Sequence, residues 1–263
     1  MKRILVTYAT MAGSTAEVAR AVAEEIARSN LQVDVLPLGE VKDLGAYDGV
    51  VVGGPMIMGW HRAALGFLKK HREVFRRIPV AVFVMAMKLT QTGEASVDGV
   101  PVEVDEKLPQ PPAQEGRLNF RERYARLANY VRPILRATRP VNPVKIGIFG
   151  GRLEYGRLKW WAVLFVMLIV QAPAGDRRNW AAIRSWAAAL PAALDSQHRR
   201  HERGVDHRAV DGPTARSVRA AEGSSRRLET GDWRLEVGGW RLEQCHPTSK
   251  FQHLASRWIG DRA

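Results

Sequence analysis

The sequence predicts an α/β fold in which an open parallel sheet carries helices on both faces. Along residues 1–195, short apolar runs rich in β-branched residues alternate with segments of helical periodicity. Buried parallel strands form such continuous apolar runs, and each reaches the next through a crossover helix. The 263 residues, of which 46% are hydrophobic and 25% charged, suit one or two globular domains. This composition excludes a wholly disordered chain and a polytopic membrane protein.

The first half of this region supplies three strands and two helices. Residues 3–8 and 49–53 are almost continuous apolar runs, which are typical of buried strands, and residues 31–36 alternate between apolar and polar side chains. From Thr15 the apolar residues recur every three or four positions, and residues 62–75 repeat that pattern. Both segments are therefore predicted to be amphipathic helices.

The second half completes the sheet. Residues 79–87 and 144–149 are further apolar runs and are predicted as strands four and five. Residues 120–137, which contain Pro133, and residues 180–194 have helical periodicity, and the proline is expected to break the first of these helices. Residues 90–119 are rich in Pro and Gly and have little periodicity, so a long loop is expected there.

The connection at residues 9–15 joins strand one to helix one and has the composition of a phosphate-binding loop. Ligands of such sheets bind beyond the carboxyl ends of the strands, where helix starts expose N–H groups. Gly13 permits close backbone approach, and Thr10, Ser14 and Thr15 add hydroxyl groups. The loop lacks the lysine of a Walker loop and the three glycines of a dinucleotide fingerprint, so it suits a phosphate monoester. A plain helix start capped by Ser14 or Thr15 is the alternative.

The stretch from Tyr8 to Thr15 resembles the FMN-phosphate loop of flavodoxins, whose pattern is Thr/Ser-x-Thr-Gly-x-Thr. Thr10, Gly13 and Thr15 match this pattern, whereas Ala12 stands where Thr is usual. Residues 47–55 resemble the third strand and the flavin-lining loop of the same family. The family implies FMN as the cofactor and a flavodoxin-like doubly wound sheet of five parallel strands in the order 2-1-3-4-5.

Two later stretches resemble one branch of that family, the menaquinone-dependent protoporphyrinogen IX dehydrogenases and related flavodoxin-domain proteins. They are GGRLEY at 150–155, followed by Trp160-Trp161, and APAGDRRNW at 172–180. The resemblance covers about residues 1–195. It implies an FMN site formed by three loops, with the contact residues Thr10, Met11, Ala12, Gly13, Ser14, Thr15, Pro55, Met56, Ile57, Met58, Gly59, Trp60, Ala86, Met87, Lys88 and Leu89.

Several of these side chains allow a second interpretation. Pro55, the methionines of the second loop and Trp60 offer apolar and sulfur surface to a flat ring, or else anchor their loop in the core. His61 is a candidate proton donor, or a solvated or capping residue at a helix start. Lys88 either stabilises an anionic reduced flavin or points to water. No catalytic residue is assigned, and no metal site is expected.

Residues 160–170 form a run of consecutive apolar residues, WWAVLFVMLIV. A helix that spans a bilayer needs about 20 such residues, so this run is not predicted to be transmembrane. It is either a core helix or an inserted helix at the membrane interface or at a quinone site, with Trp160, Trp161 and Phe165 in contact. Basic residues on both sides of the run suit the lipid headgroup layer.

Composition changes near Ser196 and divides the chain into a domain, 1–195, and a basic tail, 196–263. The domain has 27 basic and 18 acidic side chains, and the tail has 13 and 9. Because the tail has few apolar runs, disorder is expected. The alternatives are weak binding to anionic surfaces and a metal site built on its histidines and Cys245-His246, although their spacing matches no structural zinc pattern.

The charge and the resemblance together favour an FMN-dependent oxidoreductase that passes electrons from an anionic organic donor to a quinone. The resemblance implies protoporphyrinogen IX as the donor, in heme biosynthesis. A flavodoxin-type carrier is one alternative, but such carriers tend to be acidic, whereas this domain has a net charge of +9. A flavin-less binding module is another. The net charge of +13 and the pI of about 10.4 also suit nucleic acid, yet no recognised nucleic-acid module is present.

The expected location is the cytosol. The chain has a single cysteine, and its N-terminal apolar run is too short for a secretory signal. Peripheral contact with the inner face of the cell membrane follows from the interfacial interpretation of residues 160–170.

Overall fold

The computed structural model describes residues 2–56, 59–114, 116–153, 175–197 and 199. The strands are β1 (Arg3–Tyr8), β2 (Gln32–Pro37), β3 (Gly49–Pro55), β4 (Val80–Ala86), β5 (Leu89–Thr90), β6 (Ser96–Val97), β7 (Val100–Val104), β8 (Pro109–Gln110), β9 (Ile146–Gly150), β10 (Arg152–Leu153) and β11 (Gly175–Asp176). The helices are α1 (Ser14–Ala27), α2 (Arg62–Lys70), α3 (Phe120–Tyr124), α4 (Leu127–Thr138) and α5 (Trp180–Ala188).

The main sheet has the order β2-β1-β3-β4-β9-β7-β6. All neighbours are parallel except β6 and β7, which form an antiparallel pair at the edge. Numbered by the five predicted strands alone, which are β1, β2, β3, β4 and β9, the order is 2-1-3-4-5. The predicted count of five strands is wrong, because the segment expected to be a loop adds β7 and β6 to the sheet.

Residues 90–119 are therefore not the structureless loop that their composition suggests. Asp98 and Gly99 have φ of +49° and +79° and form the turn of the β6–β7 hairpin. Both central residues of a type I′ turn need positive φ, and Asp-Gly is a strong signal for it. Val97 and Val100 on either side of the turn are buried in the core. The sequence carries this signal as Val-Asp-Gly-Val, and the low overall periodicity of the segment hides it.

The predicted helix over residues 120–137 is two helices, and the break lies at Arg126 rather than at Pro133. Asn129 Nδ2 donates to the carbonyl oxygens of Arg123 and Tyr124 at 2.6 and 3.3 Å, which satisfies the end of α3. Pro133 lies inside α4. Helix α2 also ends earlier than predicted, since it stops at Lys70 and is followed by a 3-10 turn over Val74–Arg76.

Two apolar layers hold the helices on the sheet. Helices α1 and α5 cover one face, where Trp186 meets Phe83 and Phe149 edge-on at ring distances of 6.2 and 5.6 Å. Helices α2 and α4 cover the other face. Beyond β9, strands β10 and β11 pair antiparallel through Arg152 and Asp176. The predicted apolar helix at 160–170 and most of the predicted tail lie outside the described residues.

Candidate functional site

Four parallel strands end at one edge of the sheet, and the candidate site lies beyond their carboxyl ends. Strands β1, β3, β4 and β9 pair in register up to their last residues. Their ends are followed by the connections predicted to bind a ligand. The Ala9 N–H donates to the Gly53 carbonyl oxygen at 2.9 Å, which ties the first connection to β3.

The first connection leaves the start of α1 free of side-chain caps. Gly13 is the N-cap, with φ of +89°, and no side chain accepts a hydrogen bond from the first turn. The prediction that Ser14 or Thr15 caps the helix, which was the alternative to phosphate binding, is therefore wrong. Thr10 Oγ1 instead accepts the Gly13 N–H at 2.9 Å and holds the loop in a closed turn.

The groups around this helix start fit a phosphate monoester. Thr10 is exposed, and Met11, Ala12, Gly13 and Ser14 are partly exposed, so backbone N–H groups and two hydroxyls surround the positive end of a 14-residue helix. Thr15 is buried, with 1% of its surface exposed, so the exposed groups of this loop are those of residues 10–14. The chemistry of this donor set suits a dianion that needs no lysine partner.

In the second connection, two of the side chains predicted to contact the ring are buried in the core. Trp60 is 2% exposed and Met56 7% exposed, so neither side chain has a face open to a ligand. The Trp60 indole N–H donates to the Gly54 carbonyl oxygen at 3.1 Å, and Met56 bridges Trp60 in an antiparallel pair. These two side chains anchor the loop. Pro55 and Gly59 remain partly exposed, and Ile57 and Met58 lie outside the described residues.

His61 caps the helix that follows this loop. Its Nδ1 accepts the Ala63 N–H at 3.3 Å at the start of α2. This is the capping role that the sequence allows as the alternative to proton donation. Burial lowers the pKa of His61 below its usual value. A lowered pKa favours the neutral ring, which is the form with an acceptor nitrogen.

The third connection has a backbone held at three successive carbonyl oxygens. Ala86 accepts from the Gly151 N–H at 2.8 Å, Met87 from Arg177 Nη1 at 3.2 Å, and Lys88 from the Tyr130 hydroxyl at 2.6 Å. Met87 and Lys88 are partly exposed, whereas Ala86 and Leu89, also predicted to contact the ring, are buried.

Residues 176–179, which we call the return segment, lead from β11 into α5 and contact three parts of the site. Arg177 reaches Met87, and Arg178 Nη1 reaches Glu17 Oε2 at 2.6 Å in the first turn of α1. Asn179 Nδ2 donates to Asp105 Oδ1 at 2.9 Å, just past the end of β7. From the sequence, Arg177 and Arg178 are expected only as basic residues beside the apolar run, because the partners of this segment lie between 74 and 161 positions away in the chain.

Tyr124 joins the second connection to the segment that precedes α4. The Gly59 backbone donates a hydrogen bond to the Tyr124 side chain, and burial raises the pKa of Tyr124 despite that bond. Gly59 has φ of +97°, which suits the tight turn at this point. Helix α3 therefore borders the candidate site on this side.

Two other kinds of site are not found in the part of the chain that the structure describes. No group of three or more His, Cys, Asp or Glu side chains is placed to hold a metal ion there. The helices of that part are also too short or too polar to cross a membrane. Trp160, Trp161 and Phe165, predicted to contact a membrane or quinone, fall outside it.

Comparisons with known proteins identify a family and several similar chains. The family model described as flavodoxin domain matches residues 5–179. The protoporphyrinogen IX dehydrogenase (quinone) of Escherichia coli K12 is 23% identical over 201 residues, which are 74% of this chain and 95% of that protein. Among solved structures, a short-chain flavodoxin associated with a non-canonical PDU bacterial microcompartment has a TM-score of 0.39, 12% identity and coverage of 75% of this chain and 99% of its own. The two-electron reduced flavodoxin of Megasphaera elsdenii has a TM-score of 0.38, 10% identity and coverage of 70% and 98%.

Proposed function

The chain belongs to the flavodoxin-domain family, whose members bind FMN, and from that premise we propose that it is an oxidoreductase that passes electrons from an organic donor to a quinone. The main support for flavin binding is the start of α1. The helix begins at Gly13, which has a left-handed conformation, no side chain caps it, and the Thr10 and Ser14 hydroxyls lie around it. These residues would hold the phosphate of FMN.

The remaining connections would hold the ring region of the cofactor. Pro55, Gly59, Met87 and Lys88 are the partly exposed residues of the second and third connections. Bound FMN would supply a centre that accepts electrons from the donor and passes them to the acceptor. The chain itself would contribute binding, orientation and charge. Arg177 and Lys88 place two cations at the third connection, where an anionic donor or an anionic ring would be stabilised.

The donor and acceptor are proposed by analogy with the E. coli relative. That protein is named as a dehydrogenase of protoporphyrinogen IX that uses a quinone, so the donor here would be protoporphyrinogen IX and the acceptor a quinone. Protoporphyrinogen carries two carboxylates, so a domain with 27 basic and 18 acidic side chains would attract it. The same excess of basic residues argues against a soluble carrier that docks on basic partners.

The proposal predicts a yellow protein that oxidises protoporphyrinogen IX only when a quinone is added. The full-length chain is purified, its visible spectrum is recorded before and after reduction, and the released flavin is identified. We expect FMN rather than FAD, because the first connection suits a phosphate monoester. A protein that takes up no flavin would be the binding module instead, and a flavoprotein that reacts with no quinone would be a carrier.

We also propose that the chain contacts a membrane surface through residues 160–170. In sequence, the apolar run lies between β10 and β11, and the basic residues Arg157 and Lys159 come directly before it. Trp160→Ala/Trp161→Ala is expected to lower the fraction of protein that co-sediments with vesicles of anionic lipid by severalfold. Binding of the unmodified chain should weaken at high salt, because part of it is electrostatic. Equal co-sedimentation of both proteins would refute the proposed contact.

A further inference from the structure

Arg178 of the return segment is almost fully enclosed, with 4% of its side chain exposed. Its Nη1 lies 2.6 Å from Glu17 Oε2, and its Nε and Nη2 lie 2.8 and 2.6 Å from the two carboxylate oxygens of Asp176. The guanidinium carbon is 4.6 Å from the centre of the Trp180 ring. The two carboxylates and the aromatic face hold the planar guanidinium of Arg178 in a single orientation.

Among the residues that the structure describes, the charges of this cluster balance. Arg152 Nη1 lies 3.7 Å from Glu17 Oε1, so two cations face the two carboxylates of Glu17 and Asp176. Hydrogen bonds from Arg178 are the main reason why the pKa values of both carboxyl groups lie below their usual range. Both carboxylates are therefore ionised at neutral pH, and their neutralisation depends on Arg178.

Glu17 lies where its charge would matter for an anion. Its backbone N–H donates to the Gly13 carbonyl oxygen at 3.4 Å, so Glu17 belongs to the first turn of α1, directly after the candidate phosphate loop. A carboxylate there interacts well with the helix dipole but repels an anion bound at the same helix end. Without Arg178, the cluster of Glu17, Asp176 and Arg152 would carry a net negative charge.

We propose that Arg178 is a positioning residue for phosphate recognition, which cancels the charge of Glu17 and joins the start of α1 to the return segment. The proposal rests on the proposed FMN site. On this proposal, the cluster makes the chain bind the phosphorylated flavin more tightly than the same flavin without phosphate. The loop alone does not provide this preference. The charge of Arg178 acts on the phosphate group through Glu17, so the ring should be insensitive to it.

The test compares FMN with riboflavin, which has the same ring and no phosphate. Dissociation constants for both are measured by flavin fluorescence on the full chain, with flavin removed first. The variants are Arg178→Met, Glu17→Gln and the double variant. Arg184→Met is the matched control, because Arg184 is exposed on α5.

Arg178→Met is expected to weaken FMN binding about tenfold while riboflavin binding changes less than about threefold. Glu17→Gln alone should not weaken FMN binding, since the charge that it removes is already cancelled. The double variant should recover most of the lost affinity, because no carboxylate is left unpaired in the first turn of α1. The loss in Arg178→Met should shrink at high salt, and Arg184→Met should match the unmodified chain.

Equal losses for FMN and riboflavin, or no recovery in the double variant, would show that Arg178 only supports the fold and would overturn the proposal. If Arg178→Met does not fold, Glu17→Gln still decides, because a tenfold loss of FMN affinity in that variant contradicts charge cancellation. An unmodified chain that binds neither flavin overturns the proposed function as well. An unmodified chain that binds FMN, with Arg178→Met unchanged, overturns the role of Arg178 alone.

Discussion

Replacing Gly150 by alanine is expected to lower the free energy of unfolding by about 3 kcal/mol. Gly150 is the last residue of β9, and a Cβ atom there would lie 2.0 Å from the carbonyl oxygen of Arg177 and 2.8 Å from its carbonyl carbon. These are backbone atoms, so no side-chain rotation relieves the overlap. The usual gain from replacing glycine in the unfolded chain is only about 0.4–1 kcal/mol, and the clash therefore dominates.

The return segment has little room to move away from an alanine at position 150. The Arg177 N–H donates to the Gly151 carbonyl oxygen at 3.0 Å, and the next two side chains contact Glu17 and Asp105. Urea unfolding of the two chains measures the difference. Gly66→Ala is the matched control, because Gly66 lies in α2 with nothing within 4 Å of the added Cβ, and it should stabilise by about 0.5–1 kcal/mol. A Gly150→Ala chain as stable as the unmodified one would contradict the packing of the return segment on β9.

The parts of the fold that sequence alone predicts are those with a strong local pattern. Strands β1, β3, β4 and β9 are continuous apolar runs with no competing interpretation, and α1 has apolar residues on one face only. The wrong assignments occur where a local signal is short. A hairpin turn of two residues, Asp98-Gly99, is outweighed by the proline and glycine around it, and the break between α3 and α4 depends on one side chain, Asn129.

The candidate site divides in the same way. The candidate phosphate loop is visible in the sequence because all of its groups lie within seven consecutive residues. Arg178, Asn179 and Asp105 could not be predicted, since their roles arise from partners brought together only by the sheet order. Trp60 shows the opposite error, in which a side chain that looks suited to a flat ring is used by the core instead.

The second large effect is expected at Trp60, where replacement by alanine should lower the free energy of unfolding by about 3–5 kcal/mol. The indole ring is 2% exposed and packs in the same cluster as Ala64, Phe67 and Leu68 of α2. Its loss would leave a cavity, and it would also remove the hydrogen bond to the Gly54 carbonyl oxygen. Urea unfolding of the Trp60→Ala chain checks the size of the loss.

Trp60→Leu separates anchoring from contact with a flavin. Leucine keeps apolar bulk in the core but has no aromatic face and no N–H group, so the variant should be less destabilised than Trp60→Ala. Because the indole of the unmodified chain has no face open to solvent, the FMN dissociation constant of the folded Trp60→Leu chain should change less than about threefold. A tenfold weaker affinity in a variant that remains folded would show that Trp60 does contact the ring. Unchanged affinity together with lower stability would place Trp60 among the residues that hold the second connection in position, with the ring itself held by its partly exposed neighbours.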